Sequence, residues 1–323
     1  MTNFQVYRKT ISFSFLGFLV DILAFAVLFG SAAAGFFIAD RGPSSKALIG
    51  LVVGFVVGIV LAILINVFLT NRIKAAQISM IVKGVTEGEL PDHTFSEGFK
   101  EIKGRFGKIT AFYFITRAIR AIFQQLGRAI NRVGTALGGQ TGDTITSIIN
   151  SAFEVLIGFL CDCCLGWILY RKEESAAKAG CEGAVIFFKH GKTLIRNIGR
   201  IFGLGLLSLL VIGGGFFGLF YLIVSSLPQA LTLLINEMTE AATRGGTTLP
   251  PELTNPAILS LIIAGVAALI LWSMFHSVLV RPFILVGVMR NYMAAGIQDM
   301  PTEKDFAELD AKSPRFARLH KSI

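Results

Sequence analysis

Residues 116–132 read TRAIRAIFQQLGRAINR, and where this stretch sits relative to a membrane decides the fold. At about 100° per residue, Arg117, Arg120, Gln124, Arg128, Asn131 and Arg132 fall within an arc of roughly 120°. Ile115, Ile119, Ile122, Phe123, Leu126, Ile130 and Val133 fill the opposite side. A helix with such a basic face has two homes. It lies in the plane of the lipid headgroups, or it crosses the bilayer with its arginines turned away from lipid, where each would cost between about 3 and 10 kcal/mol or more. In the second case Arg117, Arg120, Gln124, Arg128 and Arg132 line a water-filled path that favours anions. A blander arrangement lets the outer arginines snorkel to headgroups while the inner ones pair with Glu154 or Asp162 on a neighbouring helix.

The rest of the chain is among the most apolar that fold. Hydrophobic residues are 53% and charged residues 16%, against about 25% charged in soluble domains. Ile11 to Ala39 carries one charge, Asp21; Ala47 to Thr70, Ile201 to Asn236 and Ala257 to Val280 carry none. Each exceeds the roughly 20 residues that cross about 30 Å of hydrocarbon. Arg8 and Lys9 before the first run resemble the start of a signal peptide, but the run is too long and holds Asp21, so a retained first helix is expected.

Lysine and arginine in short loops stay cytoplasmic. Two basic blocks, Arg72 to Lys108 and Arg171 to Arg200, are therefore expected inside, and Pro228 to Pro256, with three glutamates against Arg244, outside. The chain between the two basic blocks must then cross an even number of times. Thr144 to Tyr170 reads as one crossing, so the arginine-bearing helix is expected to supply the other. The resulting scheme is all-α and polytopic. Six spanning helices run at about 11–39, 47–71, 109–134, 144–170, 200–227 and 256–285. A basic link (72–108), an amphipathic link (171–199) and a carboxyl tail (286–323) are cytoplasmic, and 228–255 is an external loop. Amphipathic segments are expected at 172–198 and 302–318, with both termini in the cytoplasm and the protein in the cell membrane.

Ionisable residues at membrane depth usually face a bundle interior or a cavity. Asp21, Glu154 and His276 accordingly join the arginines as candidates for a pore or substrate path. Gly54 and Gly58 form a GxxxG pattern, and the run Val211 to Gly218 is glycine-dense; close helix packing is one reading of that run, a broken helix at a substrate site the other. Cys161, Cys163 and Cys164 lack zinc-binding spacing and are expected to be free thiols. No phosphate loop, nucleophile elbow or HExxH motif occurs. No enzyme activity, cofactor or metal is expected. The net charge of +9 sits in helix-flanking segments, where anionic lipid headgroups account for it without a nucleic-acid partner.

From Lys108 to Arg200 the order is an amphipathic helix, a helix ending CDCCLGWILY, then AGCEGAVIFFKHGKTLIRNIGRI leading into another apolar run. This resembles the choline transporter-like family, whose members carry a cysteine-rich helix end, an amphipathic connection and an Arg-Asn pair before the next span; Arg196-Asn197 matches that pair. The resemblance covers roughly a third of the chain and extends loosely to Phe283–Met289. It implies a solute-transporting membrane scaffold. That family typically has more spanning helices and a large external domain after the first. Two tryptophans and five tyrosines also leave little material for an aromatic cage around a quaternary ammonium, and arginines along the path would repel choline. The resemblance thus implies shared fold more than shared substrate. The expectation is a transporter or channel for a small solute. An oligomeric anion channel, and a non-transporting scaffold that binds anionic lipid through the same arginines, are the alternatives.

Overall fold

The computed structural model describes residues 1–39, 47–105, 107, 116, 119–122, 124, 141–244, 246 and 248–321. Every regular element among them is helical. Four stretches, Asn3–Ala39, Ile49–Thr86, Gly203–Ser225 and Pro256–Gln298, are long and apolar enough to cross a membrane. They coincide with the four apolar runs. Most of 109–134 lies outside the described residues, as does the first external link.

The chain divides into two compact units, residues 1–200 with 282–323, and residues 201–281. The first unit begins with α1 (Asn3–Ala39), α2 (Ala47–Ile65), a π-helical turn π1 (Asn66–Thr70) and α3 (Asn71–Thr86). Gly50, Gly54 and Gly58 recur every four residues on α2 and meet Gly35, Ser31 and Leu28 of α1, so close that a Cβ on any of them would strike backbone or the Ser31 hydroxyl. The GxxxG signal therefore marks a helix contact. The outward surface of this hairpin is a band of exposed Phe15, Leu19, Phe25, Phe29, Val53, Val57, Leu61 and Phe68, a surface suited to lipid and not to water.

At Asn71 the same helix changes solvent. Ala75 to Val82 is buried without a break, against the amino end of α1, α4 (Thr94–Lys103) and α5 (Thr141–Tyr170). Cys161 to Leu169 on α5 is likewise buried on every side. A helix apolar all round suits the centre of a bundle as well as it suits lipid. Around it stand the first half of α6 (Ala176–Ser208) and α11 (Arg281–Gln298). Gly166 admits Met289, Gly296 admits Trp167, and Tyr292 Oη donates to the Gly183 carbonyl at 2.7 Å. Charges inside this bundle are paired. Lys74 Nζ lies 2.6 Å from Asp162, and Glu182 accepts from Trp167 Nε1 at 2.9 Å and faces Arg171 at 3.2 Å. The expected carboxyl tail is thus largely structural. Its first part is α11, with Tyr292 fully buried, followed by α12 (Glu303–Lys312) and α13 (Pro314–His320).

The second unit holds the end of α6, π2 (Leu209–Gly213), α7 (Gly214–Ser225), α8 (Pro228–Arg244), α9 (Pro251–Thr254), α10 (Pro256–Phe275) and π3 (His276–Val280). The expected external loop is mostly helix, because Pro228 fits a first helical position and Leu231 gives the helix a buried contact. α10 packs on α7, with the Phe216 and Phe275 rings 5.2 Å apart. Of the glycine run only Gly213 is packed, against Leu209 and Trp272; Gly214, Gly215 and Gly218 meet nothing within 4 Å in their own unit. The helix instead widens into π2 just before them.

Candidate functional site

A π turn accommodates one extra residue, shifts the faces of the helix on either side and often marks a functional position. Three occur among the described residues, all within or beside membrane-length helices. Their closing bonds run from the amide of Asn71 to the Asn66 carbonyl, Gly214 to Leu209 and Arg281 to His276. Two open on a polar side chain. Asn66 ends an apolar stretch reaching back to Ala47, and His276 is the only histidine, acid or base between Pro256 and Val280.

In the second unit His276 sits within a short polar string. Trp272 Nε1 donates to Ser208 Oγ at 3.2 Å, and Ser208 Oγ donates to the Gly205 carbonyl at 2.8 Å. A Cβ on Gly205 would stand 3.8 Å from His276 Nε2. The Trp272 and His276 rings are 5.3 Å apart. Gly205 thus lies next to the imidazole, at a distance where a methyl group would just touch it. In the first unit the pairing of Gly35 with Gly50, Ser31 with Gly54 and Leu28 with Gly58 runs antiparallel, which sets Asp21 level with Ile65 and Asn66. Both Asp21 and Asn66 are exposed. Thr70 Oγ1, closing π1, is buried without a hydrogen-bond partner.

The two settings are one pattern used twice. An apolar helix of 19 or 20 residues leads into a five-residue π turn, a helix of 16 or 18 residues and then a ten-residue helix. Glu89-Leu90-Pro91 follows Asn66 at the same interval at which Asp299-Met300-Pro301 follows His276. The recurrence is readable in the sequence once Asn66 is aligned with His276; weighing His276 by itself passes over it.

The arginine stripe meets α5 where it is described. Gln124 Nε2 donates to Glu154 Oε1 at 2.7 Å, and the Arg120 guanidinium lies beside the Cys161 thiol. Ile119 and Ile122 are fully buried on the apolar side, and Arg120 stays exposed. Arg117, Arg128 and Arg132 lie outside the described residues. The structure thus joins Gln124 to Glu154 and Arg120 to the cysteine-rich segment, while Asp21 and His276 belong to different units. All four cysteines are free and buried, and no cluster of three potential metal ligands occurs among the described residues. Sequence reasoning also passed over Lys74 as the partner of Asp162 and Lys189 as the anchor of the carboxyl helices. Lys189 Nζ donates to Asp299 at 2.7 Å and to Asp305 at 3.0 Å.

Compared with protein-family models, curated proteins and solved structures, the chain has no significant match in any of the three.

Proposed function

We propose that the chain is a membrane transport protein for a small polar solute, with four crossings and both termini on the cytoplasmic side of the cell membrane. The observation that carries this reading is the repeated apolar helix, π turn and buried helix, opened by Asn66 in one copy and His276 in the other. Internal repeats with interrupted helices, and polar groups at the interruption, are the structural economy of solute carriers. A π turn frees backbone carbonyls inside the membrane and lets them meet a solute together with an imidazole or a carboxamide.

Four crossings satisfy the distribution of charge as well as six. An even number of passages between the two basic blocks includes none, and the burial of Cys161 to Leu169 by neighbouring helices accounts for the apolarity of α5 without lipid. The described arginine-stripe residues then belong to a cytoplasmic bundle. The anion-channel alternative needs Arg120 and Gln124 in a water-filled path, and the Gln124 bond to Glu154 on α5 gives it no support. The resemblance to choline transporter-like proteins supports a solute-carrying scaffold more than any one substrate, and choline serves as the first organic solute to test.

The test is uptake by the purified protein in liposomes, with labelled choline inside one assay and iodide flux in a parallel one. His276→Leu and Asn66→Leu should each slow choline uptake about ten-fold, the worth of a lost hydrogen bond of roughly 1.4 kcal/mol. Arg120→Gln should leave it unchanged. Iodide conduction that Arg120→Gln abolishes would instead establish the anion channel.

A further inference from the structure

The membrane boundary of the first unit can be located to within a turn. Phe68 and Leu69 are exposed apolar residues on the lipid-facing band, while Arg72 opens the part of the helix that is buried in protein. At this level α4 lies against α3. Its Thr94, Gly98 and Ile102 are buried at a spacing of four, with Gly98 admitting the Phe13 ring. Phe95 and Phe99 continue from Phe13 as a cluster of rings 5.0 to 5.8 Å apart, and Phe95 is 40% exposed. Lys100 and Lys103 stand on the outer side of α4, exposed. An aromatic edge with adjoining lysines is how a helix rests at the headgroup level.

Between α3 and α4 lies a cavity of about 620 Å³ lined by Arg72, Phe99, Lys100, Ile102 and Lys103. Among the described residues that line it, three are cations and two are apolar. Of the nearby acids, Glu97 makes a 3.3 Å contact to Lys100 with both side chains substantially in water, a weak pair. Glu101 is drawn away to Arg105 and Lys172. The described lining therefore carries three cations and no acid, and Arg72 follows exposed Phe68 and Leu69 by one helical turn. We propose that the cavity binds the headgroup phosphate of an anionic phospholipid of the cytoplasmic leaflet, with the acyl chains running along Leu69 and Phe68. The inference rests on the cytoplasmic placement of residues 72–108 and not on transport.

The full-length protein, in nanodiscs of phosphatidylcholine with a minor fraction of phosphatidylglycerol, can be released into the gas phase and its retained lipids counted by mass spectrometry. The triple variant R72Q/K100Q/K103Q should lower the preference for phosphatidylglycerol about a hundred-fold, about five-fold per cation, whereas K100R/K103R should keep it. The single variants Lys100→Gln and Lys83→Gln each remove one charge; Lys100→Gln should lower the preference about five-fold, and Lys83→Gln, three turns beyond Arg72 on α3, should have no effect. The proposal is overturned if Lys83→Gln weakens the preference as much as Lys100→Gln, since the attraction is then diffuse. It is equally overturned if the triple variant retains phosphatidylglycerol, or if inorganic phosphate displaces the lipid, which would make the cavity a site for soluble anions.

Discussion

Lys189 holds the carboxyl helices to the bundle through two carboxylates at once. Its hydrogen bonds to Asp299 and Asp305 raise its pKa above the ordinary 10.5. Burial raises the Asp305 pKa, but the Thr302 amide and hydroxyl and the Lys189 ammonium outweigh it and hold the carboxyl below 3.8. The depressed acid stabilises docking above its unfolded value and loses that contribution as pH falls through the folded one. The raised base does the reverse at the alkaline end, so this contribution to docking should be constant between the ordinary carboxyl and ammonium values of 3.8 and 10.5 and be lost only below the first or above the second. Amide hydrogen exchange across residues 303–312 measures this: protection should weaken as the pH is taken below 3.8 and, in Lys189→Met, already at neutral pH; unaltered protection in that variant would refute the anchoring role. Such pairs were only half legible. Asp162 stands out as a charge in an apolar run, but its partner Lys74 lies on another helix far away in sequence, and no local spacing connects the two.

At the scale of elements, the α1–α2 hairpin was readable from Gly54 and Gly58, because small residues four apart have few other uses in an apolar helix. Replacing Gly54 by leucine drives a side chain into the Ser31 carbonyl, which cannot move aside as a flexible side chain would. The cost should exceed about 3 kcal/mol, the upper range for overpacking. Thermal unfolding in detergent should show a lowered midpoint for Gly54→Leu and an unchanged one for Gly30→Leu, since nothing approaches Gly30 within 4 Å. Equal midpoints in the two variants would contradict the packing described. The role of α5 was not readable in the same way. Leucines, cysteines and a tryptophan on all faces of a helix describe immersion in lipid and immersion in other helices identically, and only the neighbours distinguish them.

For the whole molecule, the count of crossings turns on that same helix. Val155 is 47% exposed on α5; with six crossings it lies deep in the bilayer, with four in cytoplasmic water. Val155→Cys should therefore react with a membrane-impermeant maleimide applied from the cytoplasmic side and not from outside. The background is quiet because Cys161, Cys163, Cys164 and Cys181 are buried, and burial, with Asp310 and Glu182 nearby, pushes the Cys181 thiol up to about 12. Failure to label from either side would favour six crossings. One consequence belongs to the helical stretch from Ile49 to Thr86, broken in its regular hydrogen bonding only by the π1 turn, whose 38 residues measure about 57 Å, nearly twice the hydrocarbon thickness. Its outer half answers to lipid and its inner half to the bundle, with no hinge glycine or proline at the junction. A thinner bilayer has to tilt such a rod, and the inclination is delivered directly to Ala75 to Val82. Bilayer thickness thereby becomes a variable of the buried bundle, and the protein a gauge of the membrane that holds it.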